Sequence, residues 1–209
     1  MPDSIERALA AALTGDCYFG QVLIRKVGES GFVLRHRDDQ GRDGLRPLQN
    51  PEDAIEISKF DDVGNYRPLK TAPNLGRGWQ LTVSDLSDLR SALDYFYPGR
   101  LALVIAEKEN RLETTSLRKT LDRQSGMYRI AANISDEQIN DLVGDFCRSD
   151  GGCLRTILWK RDERGIVPST KLPPEKFELA YDLAAEIPLL CQEACNLLVA
   201  AARKVVKGE

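Results

Sequence analysis

The placement of the cysteines restricts this chain more than any other feature. Four of the five fall in the second half as two local pairs, Cys147-x5-Cys153 and Cys191-x3-Cys195, and Cys17 stands apart. The one histidine, His36, leaves imidazole relays and histidine metal sites a single candidate. It lies in a strand-like RHRDD segment and reads as structural or exposed, not catalytic. The opening MPDSIERALAAAL carries acidic residues and no basic n-region, so it is read as no secretory signal and the expected location is cytoplasmic. Thiols in that reducing compartment do not form structural disulfides, which leaves packing, reactivity or metal binding to explain them.

Each pair has a local logic. Ser135 and Gln138 form a capping-box signature that launches a helix over residues 136–147, ending at Cys147. The Ser149-Asp150-Gly151-Gly152 turn then brings Cys153 back beside it, with glycines that leave backbone N–H groups accessible. Cys191 and Cys195 have the spacing of one helical turn. With Pro188 at the first helical position, Cys191 falls in the opening turn, where free N–H groups and the positive dipole end stabilise a thiolate. Four such ligands can enclose zinc or an iron-sulfur cluster. Zinc sites usually carry tight C-x2-C knuckles, which neither pair has, so the wider grip favours a cluster. Plain packing stays open as well, because Cys191 and Cys195 share a helical face with Ile187, Leu190, Ala194 and Leu198. A redox dithiol is the weakest reading, since neither pair is C-x-x-C.

The rest of the chain reads as α+β. At 42% hydrophobic and 29% charged it has material for one core or two small ones. No apolar run approaches the roughly 18–20 residues that a bilayer requires. Lys plus Arg is 29 against 32 for Asp plus Glu, which argues against nucleic acid or an anionic membrane as partner. Residues 4–13 read as an amphipathic helix, and residues 19–26 and 31–37 as strands joined by a Gly-bearing turn. A loop over 37–51, a short element at 54–59 and an ordered loop over 65–78 follow. Ser84 reads as the cap of a helix with Leu86, Leu89, Leu93 and Phe96 on one face, stopped by Tyr97-Pro98-Gly99. A boundary at that stop gives a mixed α/β domain over 1–98 with the hairpin, and an α+β domain over 99–209 with a helical C-terminus. In the second part, residues 101–106 and 126–131 read as strands, 115–123 as a short basic helix and 153–159 as a strand. Residues 160–174 read as a surface connection, followed by two helical segments separated or kinked at Pro188.

Arg111, Arg118, Lys119, Arg123 and Arg129 concentrate basic charge that an anionic, carboxylate-rich ligand such as a tetrapyrrole would meet, but Glu113 and Asp122 partly neutralise it and a solvated helix face explains it better. Arg67, Lys70 and Arg77 pose the same question in the proline-bearing loop. Arg148 and Arg155 flank the first cysteine pair, where they either raise the reduction potential of a cluster or are simply solvated; Trp159 either shields a cluster from water or packs as an ordinary strand aromatic.

RPLKTAPNLGRGW at residues 67–79, the helix ending in Tyr97-Pro98-Gly99, and then C-x5-C and C-x3-C resemble the accessory part of multi-domain CbiX-type, sirohydrochlorin-chelatase-like proteins. The resemblance implies a stabilising domain followed by a [4Fe-4S] domain in which Cys147, Cys153, Cys191 and Cys195 each give one thiolate to the cluster. It implies no role for Cys17, for which burial is expected. The chelatase portion itself is not recognised in the chain, and independent catalytic activity is not expected. The function it implies is electron transfer, or redox support of a protein partner or separate chelatase-type enzyme, in tetrapyrrole metabolism. The alternative is an interaction module in which a four-cysteine zinc or cluster site only staples the fold.

Overall fold

The Gly-bearing turn does make a hairpin, and a sheet grows on both of its sides. The computed structural model describes residues 4–60, 64, 75–147, 156–157, 160–162, 165–166 and 185–209. It divides into two compact units: residues 1–110 with 180–189, and residues 111–179 with 190–209.

The first unit opens with helix α1 (Ser4–Ala12), strand β1 (Cys17–Phe19) and the hairpin strands β2 (Val22–Val27) and β3 (Gly31–His36). Gly28 at φ +64° supplies the left-handed residue in the turn. β3 alternates as its sequence does: Phe32, Leu34 and His36 are buried while Val33 and Arg35 lie on the other face. Strand β4 (Arg46–Leu48) and helix α2 (Asp53–Ile57) occupy the expected loop and short element. Strand β5 (Trp79–Val83), which the sequence reading passed over, pairs antiparallel with β3 and parallel with β4. Helix α3 (Leu86–Phe96) is capped by Asp85, whose side chain accepts the N–H of Asp88 at 2.9 Å, rather than by the neighbouring Ser84.

Gly99 at φ +69° follows α3, and the chain then forms helix α4 (Arg100–Lys108) where a strand was expected. A six-residue apolar run does not by itself separate strand from buried helix. Here Leu101, Val104 and Ile105 are buried and Ala102 is exposed, which is helical spacing built from good helix formers. The sheet is completed by a late segment: Glu186–Ile187 pairs parallel with β1 through Tyr18↔Glu186 and Phe19↔Ile187. Gly20, at φ +57°, turns β1 into β2 beneath this segment, so close to Leu189 and Tyr97 that a Cβ there would sit 2.7 Å from Leu189 Cδ1. Tyr97 stacks edge-on against Phe19, and its hydroxyl accepts the N–H of Gln21 at 3.1 Å.

The second unit contains helix α5 (Leu117–Asp122), a 3-10 segment (Gly126–Asn133) in place of the expected strand, and helix α6 (Asp136–Cys147). Short strands β6 (Thr156–Ile157), β7 (Lys160–Asp162) and β8 (Gly165–Ile166) follow. The Glu186–Ile187 strand, β9, returns to the first unit as described; β10 (Leu190–Cys191) then pairs parallel with β6, and helix α7 (Asn196–Lys207) ends the fold. Leu117, Leu121, Ile139, Val143, Leu198 and Ala202 bring α5, α6 and α7 onto one apolar core. Each fully buried leucine there contributes about 1.5–3 kcal/mol of transfer free energy.

Candidate metal centre

The capping box sets the register of α6. The Ser135 N–H donates to Gln138 Oε1 at 3.0 Å and the Gln138 N–H donates to Ser135 Oγ at 3.1 Å. With that start fixed, Ile139, Val143 and Cys147 fall on one stripe facing the core, and Cys147 is 7% exposed. Its sequence partner Cys153, with Arg148, Arg155 and Trp159, lies outside the described residues.

The second pair departs from the helical expectation. Cys191 is in strand β10 and Cys195 is the N-cap of α7, so the two are not one turn apart on a helix. Pro188 is the physical reason: it disfavours helix for Ile187 and cannot donate to a helical ladder, so the residues around it pair as β9 and β10. Ile187, Leu190 and Leu198 are buried as predicted, but through two strands and a later helix instead of one helical face.

The helix start that was expected at Cys191 occurs instead at Cys195. Its backbone is extended at φ −76° and ψ 161°, and its sulfur accepts the Leu198 N–H at 3.4 Å. The sulfur thus stands at the N-terminal end of α7, whose first turn carries no acidic side chain. Lys204 and Lys207 occupy the opposite, carbonyl end. The Cys191 thiol donates to the Glu193 carbonyl at 3.1 Å. Cys147 and Cys191 belong to the apolar core, and Cys195 packs against it.

The donor chemistry suits a thiolate-bound cluster: soft ligands from two parts of the chain border one water-poor core, and one N–H, that of Leu198, donates to a sulfur. Among the described residues no group of three His, Cys, Asp or Glu side chains could hold a metal ion. Cys17 is fully buried in β1 of the first unit, as expected, with its thiol directed at the Tyr18 carbonyl at 3.7 Å.

Several of the other singled-out residues make structural contacts. Arg118 donates to the carbonyls of Ala132 and Ile134 and to Asp136, tying α5 to the segment before α6. Arg123 lies 3.8 Å from Glu193, and Arg77 2.7 Å from Asp38; Arg67 and Lys70 are outside the described residues. His36 is 1% exposed; its Nδ1 accepts the Asp38 N–H at 3.1 Å, and burial pushes its pKa below the ordinary value despite the opposing pull of Asp38. The signal that sequence reasoning missed is the cap preference itself: Cys195 stands where a Ser, Thr or Asp would mark a helix start, and thiols are not read as caps.

No described helix is long and apolar enough to cross a membrane. No curated protein matches the chain. Among solved structures it is similar to DR2241 from Deinococcus radiodurans, described as a multi-domain protein with structural similarity to chelatases and two additional novel domains. The TM-score is 0.76 at 28% identity, over 99% of this chain and 42% of that one. Residues 6–108 match the DR2241 stabilising domain and residues 109–204 a 4Fe-4S iron-sulfur cluster binding domain. The chain is thus a DR2241-type stabilising domain joined to a [4Fe-4S] cluster-binding domain, an α+β protein whose cofactor is the cluster.

Proposed function

We propose that the chain is an electron-transfer or redox-support protein whose cluster is held by Cys147, Cys153, Cys191 and Cys195. The observation that carries this reading is the gathering of Cys147, Cys191 and Cys195 at one apolar core of the unit that matches the cluster-binding domain. When bound, a [4Fe-4S] cluster takes up and releases one electron. The chain's own part is to exclude water with Leu198 and its neighbours, and to donate the Leu198 N–H to the Cys195 sulfur, which favours the more negative, reduced state. The likeness to a chelatase-related protein supports a chelatase-type enzyme as the partner and tetrapyrrole metabolism as the setting.

A second reading has its own support. Cys147 and Cys191 are buried within the hydrophobic core, at 7% and 8% exposure, which suits a site that staples α6, β10 and α7 without turning over. Anaerobic purification with iron and sulfide analysis, followed by reductive titration monitored by visible and electron paramagnetic resonance spectra, separates the two. Reversible one-electron reduction supports the redox reading; a cluster that is lost rather than reduced supports the staple. Serine at Cys147, Cys153, Cys191 or Cys195 should lower iron content, and serine at Cys17 should not. Equal loss at Cys17 overturns the ligand assignment, and a colourless, iron-free protein overturns both readings.

A further inference from the structure

The face of the first sheet turned away from its core holds a depression of about 150 Å³. Its lining includes Leu23, Arg25, Val33, Arg35, Gln40 and Gln80. Strand register explains the meeting: Leu23, Arg35 and Gln80 form one cross-strand row over β2, β3 and β5, and Arg25 and Val33 form the next.

The two arginines differ. Arg25 is neutralised by Asp16, with its Nε at 3.0 Å from Oδ1 and an amino group at 2.5 Å from Oδ2. Arg35 has no carboxylate partner among the described residues. One of its amino groups donates to Gln80 Oε1, and its Nε is buried without a hydrogen-bond partner. A guanidinium held against a sheet with a desolvated, unsatisfied donor is an arrangement that native structures rarely leave uncompensated. The nearest acids along the chain are engaged elsewhere: Asp38 lies 2.7 Å from Arg77, and Asp39 accepts from Arg42 at 3.0 Å and from the Gly78 N–H at 2.6 Å.

The remaining polar capacity is weighted toward donors. Gln80 Oε1 is taken by Arg35 and Gln40 Oε1 by the Tyr18 hydroxyl at 3.2 Å, so each carboxamide has its N–H groups left to offer. The depression therefore presents donors and one uncompensated positive charge, beside the apolar side chains of Leu23 and Val33.

We propose that this depression binds a small monocarboxylate, its two oxygens on the Arg35 guanidinium and the Gln40 and Gln80 amides and its short hydrocarbon tail on Leu23 and Val33. One negative charge balances the one unpaired guanidinium, and a planar two-oxygen group matches its fork. A phosphate dianion exceeds that charge and gains nothing from the apolar side. The site is distinct from the cysteines and independent of the redox reading.

The test uses the full chain and butyrate as probe, with acetate, inorganic phosphate and butylammonium in parallel. Butyrate should shift the Arg35 Nε–H resonance and the Leu23 and Val33 methyl resonances saturably, and should bind more tightly than acetate; butylammonium should not bind. Arg35→Gln should weaken butyrate by about tenfold or more. Gln80→Glu supplies a carboxylate from the chain itself, so it should keep the fold and abolish the butyrate response. An unsaturable response in the native protein, unchanged affinity in Gln80→Glu, or phosphate binding more tightly than butyrate would each overturn the proposal.

Discussion

The sulfur of Cys195 accepts the backbone N–H of Leu198 at 3.4 Å, so one cysteine both starts the last helix and offers its sulfur to the core of the cluster-binding unit. The two roles are separable. Serine keeps a cap oxygen and removes the sulfur, whereas alanine removes both. In the iron-free protein Cys195→Ser should match or exceed wild-type stability, and Cys195→Ala should fall about 0.5–2 kcal/mol below the serine variant. Both should lose iron. Chemical denaturation with parallel iron analysis checks this, and full iron retention by the serine variant would remove Cys195 from the ligand set.

Gly20 is set for a steric test. Its φ of +57° disfavours any side chain, and an added Cβ would meet Leu189 Cδ1 at 2.7 Å and the Tyr97 ring at 3.0 Å. Gly20→Ala should cost about 1–3 kcal/mol. Shortening Leu189 to alanine in the same chain should recover part of that loss, because it removes the clash and leaves the backbone strain. Strict additivity in this double-mutant cycle would show that the close approach carries no energy.

Burial holds His36 below the ordinary histidine value of 6.5, so the folded protein binds fewer protons than the unfolded chain on the acid side of neutrality. Stability from this residue is therefore present above pH 6.5 and is lost as pH falls through that value towards the lower folded-state pKa. Denaturation curves from pH 8 to pH 5 should show the decline in the native protein and a shallower one in His36→Gln. Parallel curves for the two proteins would contradict the assignment.

Arg118 allows partly buried hydrogen bonds to be compared with an exposed ion pair. Arg118→Met removes the bonds to the Ala132 and Ile134 carbonyls and should destabilise by about 1–3 kcal/mol. Asp136→Asn removes only a partner that is 85% exposed and should change stability by less than about 1 kcal/mol. Thermal melts at low and moderate salt distinguish these: the Asp136→Asn effect should shrink with salt, and the Arg118→Met effect only by the ion-pair part that the two share.

Local signals in the sequence proved dependable where a side chain satisfies a specific backbone group. Ser135 and Gln138 mark the start of α6 as their spacing predicts, and Gly28 marks the hairpin. Apolar spacing was less informative. Leu101, Val104 and Ile105 fit either a short strand or one face of α4, and only packing decides between them. The reverse error occurred at Ile187, Leu190 and Leu198, whose helical spacing is real but whose burial comes from β9, β10 and α7. Pro188 carried the information needed to break that helix, read as a helix start when it stands between two strands. The Arg35 depression was not legible because β5 had not been recognised, and without Gln80 beside it Arg35 looks like any outward-facing strand residue.

β9 also bears on how the protein is made. Ribosomes deliver residues in order, and N-terminal regions generally fold first. Here β2 pairs with one edge of β1 early, but the strand that covers its other edge ends at Ile187, after α5 and α6 have already been translated. Until then β1 presents an open edge, the kind of surface that nascent chains on neighbouring ribosomes can pair with. The three-residue length of β1 limits that exposure during synthesis.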